Sequence, residues 1–197
     1  MLPQALVLLG ILINGIGTAS YFIDTVKGKI KPNKVTFFVW SFAPFIAFLA
    51  QVNKGVGIQS WMTLSVGIFP LSIFIASFVN RKAYWKLNTR DISCGILSLI
   101  GLFLWYITKE ANIALVFSII SEGLATLPTI IKSYHNPETE NAWPWLASVI
   151  SGTLTLLTIT SWSFATFAFP LFYTFEMFLI FLFVQSKLGK RTYSLFL

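Results

Sequence analysis

Charge is what this sequence has least of. Asp, Glu, Lys and Arg make up only 11% of its 197 residues, whereas an ordinary soluble domain carries about 25%. So few charges cannot coat a water-facing surface. That excludes a soluble globular enzyme, a disordered chain and a nucleic-acid-binding domain working in water. There is one cysteine, Cys94, so no internal disulfide can form, and one histidine, His135, so no multi-histidine zinc site can form. Paired-aspartate and His–Glu metal motifs are missing, as is a convincing nucleophile–base pair. The last apolar run holds no lysine for a retinal Schiff base. Neither an enzyme nor a bound cofactor or metal is expected.

What the chain does have is apolar length: 56% of residues are hydrophobic, 17% are aromatic, and the mean hydropathy is +0.77. A hydrocarbon core of about 30 Å takes roughly 20 apolar residues as helix. Runs of that order predict seven spans: Ala5–Ile23, Val35–Ala50, Gln59–Val79, Ile92–Thr108, Asn112–Ile131, Ala142–Thr160 and Phe164–Gln185. What is left suffices only for short loops and tails. No base precedes the first run, so it lacks the n-region of a cleavable signal peptide and reads as a retained helix.

The bases set the expected topology. With the N-terminus outside, twelve fall on the inner side: Lys27, Lys29, Lys31, Lys34, Arg81, Lys82, Lys86, Arg90, Lys132, Lys187, Lys190 and Arg191. Only Lys54 and Lys109 are left outside. Short cytoplasmic loops carry such an excess, so the net charge of +7 reads as topology and contact with anionic lipid, not as a nucleic-acid surface. Trp61, Trp105 and Trp162 near the outer ends, and Tyr84 and Trp85 at the inner one, fit the aromatic belts.

Lys27, Pro32 and Trp40 recur as Lys132, Pro137 and Trp145 with the spacing K-x4-P-x7-W kept. Ser60-Trp61 recurs as Ser161-Trp162, and Phe69-Pro70-Leu71 as Phe169-Pro170-Leu171. This reads as a duplication of spans 1–3 in spans 5–7. Three spans reverse the chain's side, and span 4 restores it, so the two copies run parallel. Parallel repeats about an axis along the membrane normal are a transporter architecture, with the solute site between the halves near midplane. The expected divisions are 1–80 for the first triple-helix bundle, 81–110 for the linker helix and its loops, 111–186 for the second bundle, and 187–197 for a basic cytoplasmic tail.

The segment from Pro128 through Lys132, Pro137 and Asn141 to Trp145 resembles the proline-glutamine motif of the PQ-loop/SWEET superfamily of membrane transporters, with Thr129 where that motif has glutamine. The resemblance implies two three-helix bundles joined by a linker helix, an outside N-terminus, and hinge prolines near the inner face, to which Pro128 and Pro144 correspond. Sugar carriers of the superfamily use asparagines in the third and seventh helices. Spans 3 and 7 here contain none, so a sugar is not implied.

Glu122 and Glu176 fall near the middle of their spans. A charged carboxylate there costs several kcal/mol, by a contested amount, so each is expected to be protonated, paired or facing a hydrated cavity. They read either as proton-coupling or cation-binding groups, or as neutral acids bridging helices. Ser118, Glu122, Ala125 and Thr129 form one stripe on span 5, with Ser121 beside it; Asn14, Gly17, Tyr21 and Asp24 form another on span 1; Tyr173 lies a turn before Glu176 on span 7. Three stripes facing each other would line a solute path, and polar glue between helices is the alternative. Asp24 is expected to pair with Lys27. Pro44, Pro70, Pro128, Pro144 and Pro170 fall within spans as hinges or fixed bends. Trp40 and Trp145 read as an inner gate or as interfacial anchors. His135, in a short loop, is expected to be solvated.

The expected protein is thus an all-α, seven-span carrier of 3+1+3 design in the plasma (inner) membrane. It moves a small polar solute by alternating access, with proton coupling through Glu122 or Glu176 as the sharper version. A passive ion channel and a sensory or scaffolding membrane protein are the rivals. The solute's identity, the direction of transport and any homo-oligomer are left open by the sequence.

Overall fold

In the computed structural model, residues 3–108 and 110–189 are described. The structure is helical, with no strand among the described residues. The helices are α1 (Leu6–Val26), α2 (Lys34–Trp40), α3 (Ala43–Asn53), α4 (Gln59–Ala76), α5 (Thr89–Thr108), α6 (Ala111–His135), α7 (Ala142–Leu157) and α8 (Phe164–Ser186). Among the described residues, five helical stretches are long and apolar enough to cross a membrane: α1, α2 with α3 taken together, α4, α6 and α8. α7 is apolar but only 16 residues long, three short of the expected Ala142–Thr160. Lys109, Lys190 and Arg191 lie outside the described residues, as does most of the expected tail; the side chain of Trp105 does too.

The second expected span is not one helix. It breaks at Ser41–Phe42, between α2 and α3. Pro44 sits in the first turn of α3, and its missing N–H and its ring exclude the bond to the Trp40 carbonyl that a continuous helix would make. The broken ends are satisfied locally. Ser41 N–H bonds Phe38 O, Phe42 N–H bonds Val39 O, and Ser41 Oγ donates to Phe37 O at 2.7 Å. Pro70, Pro128 and Pro170 instead lie inside continuous helices. Pro144 falls in the first turn of α7, where an N–H would have no helical partner anyway. It therefore breaks no hydrogen bond, and its expected role as a hinge has no backbone basis.

The molecule is apolar outside and polar within. On α1, Leu8, Leu9, Leu12, Ile16 and Ile23 are exposed, while Gly10, Asn14, Gly17, Tyr21 and Thr25 are buried. The interior holds Gln51, Gln59, Thr63, Ser118, Glu122, Thr129, Ser151 and Glu176. This inversion is what a lipid solvent selects, because polar groups there gain by facing other helices. Trp61 and Trp162 are 56% and 61% exposed.

α1 packs on α4 and on α7. α6 packs on α8, on α2 and α3, and on α5, while α3 lies against α4 and α7 against α8. Small residues allow the closest approaches. A Cβ on Gly17 would stand 2.7 Å from Ala147 Cβ and 3.2 Å from Pro144 Cα, and one on Gly10 would be 3.1 Å from the Ser151 backbone. Ser98 and Ser121 each donate to the other's carbonyl at 2.9 Å, joining α5 to α6.

Candidate functional site

A cavity of about 50 Å³ lies between the helices, enough for a few waters or a solute group of a few atoms. Its polar wall is Asn14, Thr18, Tyr21, Ser148 and Tyr173; its apolar wall includes Phe37, Trp40, Val66, Phe69, Pro70, Pro144 and Trp145. Asn14 is the hub. Its Nδ2 donates to Tyr173 Oη at 3.2 Å, and its Oδ1 accepts from Ser148 Oγ at 3.1 Å, so α1, α7 and α8 meet at one amide.

Five of the expected site residues therefore line one space: Asn14, Tyr173, Trp40, Trp145 and Pro144. Glu122, Glu176 and Ser118 lie outside the cavity lining, yet all three are buried, at 0%, 2% and 0% exposure. Ser121 does not join them, because it turns to Ser98 on α5 as helix glue. Pro44 and Pro128 also stay off the cavity wall.

Both carboxyl oxygens of Glu122 and Oε1 of Glu176 have no hydrogen-bond partner among the described residues, and neither does Ser118 Oγ. Glu176 Oε2 lies 2.8 Å from the hydroxyl of Thr126. That hydroxyl also lies 2.7 Å from the Glu122 carbonyl oxygen and receives the indole N–H of Trp40 at 3.1 Å. Thr126 thus links a cavity-lining tryptophan to a buried carboxyl. It is not among the expected site residues; its place one helical turn after Glu122 is the signal that would have found it.

Trp40 and Trp145 are 3% and 4% exposed and meet edge to face, with ring centroids 6.0 Å apart. They are not interfacial anchors. Tyr21 packs on Phe37 at 5.3 Å and on Trp145 at 5.4 Å, and Phe37 packs on Trp40 at 5.4 Å, which closes a ring of four aromatics. Trp145 Nε1 is buried with no partner among the described residues.

Beyond this ring lies a charged clamp. Lys132 Nζ is 2.5 Å from Glu140 Oε1, with both side chains buried, and it also donates to the Lys31 carbonyl. It sits 5.1 Å from the centre of the Trp85 ring. Tyr21 Oη donates to Glu140 Oε2 at 2.8 Å, and Lys31 N–H bonds Thr139 O at 3.0 Å. The end of α1 and the loop after it are thereby tied to α6 and the loop before α7. In the sequence Lys132 counts as a topology charge and as a matched residue of the repeat, and nothing there marks it as the partner of Glu140. Asp24 pairs with Lys29 at 3.5 Å, not with Lys27, and accepts from Asn141 Nδ2 at 2.8 Å. His135 is exposed and packs edge-on against Tyr134.

At the other end two glutamines cross between helices. Gln51 Nε2 donates to Ala165 O at 3.2 Å, and Gln59 Nε2 donates to Thr158 O at 3.3 Å. Among the described residues no three His, Cys, Asp or Glu side chains cluster as a metal site. No protein-family model, curated protein or solved structure matches the chain.

Proposed function

We propose that the chain is a carrier in the manner of the PQ-loop/SWEET superfamily, with seven spans in a 3+1+3 arrangement and its N-terminus outside. Its spans are α1, α2 with α3, and α4; then α5 as the linker; then α6, α7 and α8. A small polar solute passes through the Asn14–Tyr173 cavity by alternating access, and Glu122 or Glu176 carries the coupled proton.

The observation that carries this reading is the pairing of the helices. If α1, α2–α3 and α4 correspond to α6, α7 and α8, each packing has a mate. The packing of α1 on α4 matches α6 on α8, α3 on α4 matches α7 on α8, and α1 on α7 matches α6 on α2 and α3. An exchange of halves by a near-twofold rotation produces that pattern. Trp40 and Trp145, equivalent in the sequence repeat, meet each other as residues near such an axis must. The cavity lies where the halves face, as in carriers built of parallel repeats.

The aromatic ring forms part of the cavity wall, with the clamp beyond it, and a small pocket with a polar wall between helices suits a carrier's solute site better than an open pore. The test is reconstitution into liposomes. Sugars, amino acids, vitamins and nucleosides are screened by thermal shift, and the stabilising solute is then used in counterflow. Saturable uptake driven by trans solute supports the carrier; unitary current steps would replace it with a channel.

A further inference from the structure

We propose that Glu122, Glu176 and Ser118 form an all-oxygen binding site for a monovalent cation of about sodium's size. The role of such an ion in coupling rests on the carrier reading, but its binding does not.

Four buried side-chain oxygens have no hydrogen-bond partner among the described residues: Oε1 and Oε2 of Glu122, Oε1 of Glu176 and Oγ of Ser118. Ser118 and Glu122 share a face of α6 one turn apart, and α8 packs against α6. Thr126 ties the Glu122 carbonyl, at 2.7 Å, to the remaining Glu176 oxygen, at 2.8 Å. The acids therefore stand close enough to interact electrostatically.

Protons alone leave this group incomplete. A shared proton joins oxygens about 2.5–3.0 Å apart, yet the Ser118 hydroxyl makes no hydrogen bond to Glu122. A hard cation with oxygen ligands at about 2.3–2.6 Å spans oxygens set wider than that. Charge points the same way. Two carboxyls sharing one proton keep one negative charge, and a buried charge needs a partner. Lys132, the buried base of the same helix, is ten residues further on and committed to Glu140.

The donor set selects the ion class. Carboxylate and hydroxyl oxygens suit hard ions, and the site has no imidazole or thiolate for a transition metal. Two acids are too few for the six to eight oxygens and higher charge that calcium demands. A single positive charge balances the site.

The titratable groups acting on Glu122 are Glu176 and Tyr173, both on α8. α3 contributes none, Cys94 of α5 lies a turn from the Ser98–Ser121 contact, and Lys34 of α2 sits over the Phe78 ring. Protons and the cation thus compete for the same oxygens.

The test uses the purified full chain in detergent, with NaCl exchanged for choline chloride at constant ionic strength. Thermal unfolding is followed by tryptophan fluorescence. A bound ion raises the midpoint in a saturable way, with Na+ exceeding K+. The half-saturating concentration rises about tenfold for each unit the pH is lowered, where one proton competes. Glu122→Gln abolishes the Na+ response, and Ser118→Ala moves it to about tenfold higher Na+ while keeping the fold. If Glu122→Gln does not fold, the Ser118→Ala shift decides. No Na+-specific response in the wild type, or the same response in both variants, overturns the site and leaves counterflow free to support the carrier. Conversely, Na+ binding without counterflow sustains the site and removes the carrier.

Discussion

Trp40 donates its indole N–H to the Thr126 hydroxyl across 3.1 Å, and the same hydroxyl stands 2.8 Å from Glu176. A hydroxyl has one proton and two lone pairs. It cannot donate to Glu176 and to the Glu122 carbonyl together, so all three contacts are satisfied at once only when Glu176 holds a proton and donates it. Removal of the hydroxyl leaves Trp40 with a buried, unpaired N–H. Thr126→Val is expected to cost about 1–3 kcal/mol, read by thermal or chemical unfolding in detergent. Glu176→Gln, whose amide can still donate to Thr126, is expected to lie within about 1 kcal/mol of wild type. The reverse ranking would break the proposed proton count.

Glu122→Gln keeps the shape of a side chain that has no hydrogen-bond partner among the described residues and removes its titration. Folding and solute binding are expected to persist while uptake loses its response to an imposed pH gradient in proteoliposomes. Unchanged pH dependence would take coupling away from Glu122.

The clamp makes a sharper thermodynamic case. A buried ion pair costs desolvation on both sides, and removal of one partner strands the other. Lys132→Met or Glu140→Leu alone is expected to destabilise by about 3–5 kcal/mol, and the double variant to recover most of it. Tyr21→Phe removes one hydrogen bond to Glu140 and is expected to cost about 1–3 kcal/mol. Additive losses in the double variant would mean the pair is not coupled.

Gly17 touches α7 where a side chain has no room. Gly17→Val is expected to cost about 1–3 kcal/mol through overpacking, measured as a fall in the unfolding midpoint. Gly55→Ala, at a turn with open space but φ of +74°, is expected to lose stability through backbone strain alone.

Where the helices lie was legible because hydrophobic length is a local signal. The expected Phe164–Gln185 and Ala5–Ile23 differ from α8 and α1 by three residues or fewer at either end. Pro44 was visible, but its effect was not, since proline at 70, 128 and 170 leaves the helix unbroken while proline at 44 ends one. Asn14, Tyr173 and the carboxyls stood out because polar groups are scarce in these runs. Lys132, Glu140 and Thr126 did not. A lysine near a helix end looks the same whether it meets lipid headgroups or a buried glutamate from a loop eight residues on. Ser121 misled for a related reason, as a serine beside a polar stripe carries no mark of the neighbour it faces.

The interruption at Ser41–Phe42 makes α2 and α3 together mechanically unlike α7. Its carbonyls and amides are already served by short-range bonds and by the Ser41 hydroxyl, so flexing there strands no backbone group in a dry interior. The corresponding stretch after Trp145 runs on as unbroken helix and has no such joint. On the proposed carrier reading, the cycle is that of a jointed arm working against a stiff frame, with Trp40, just ahead of the joint, as the part that travels.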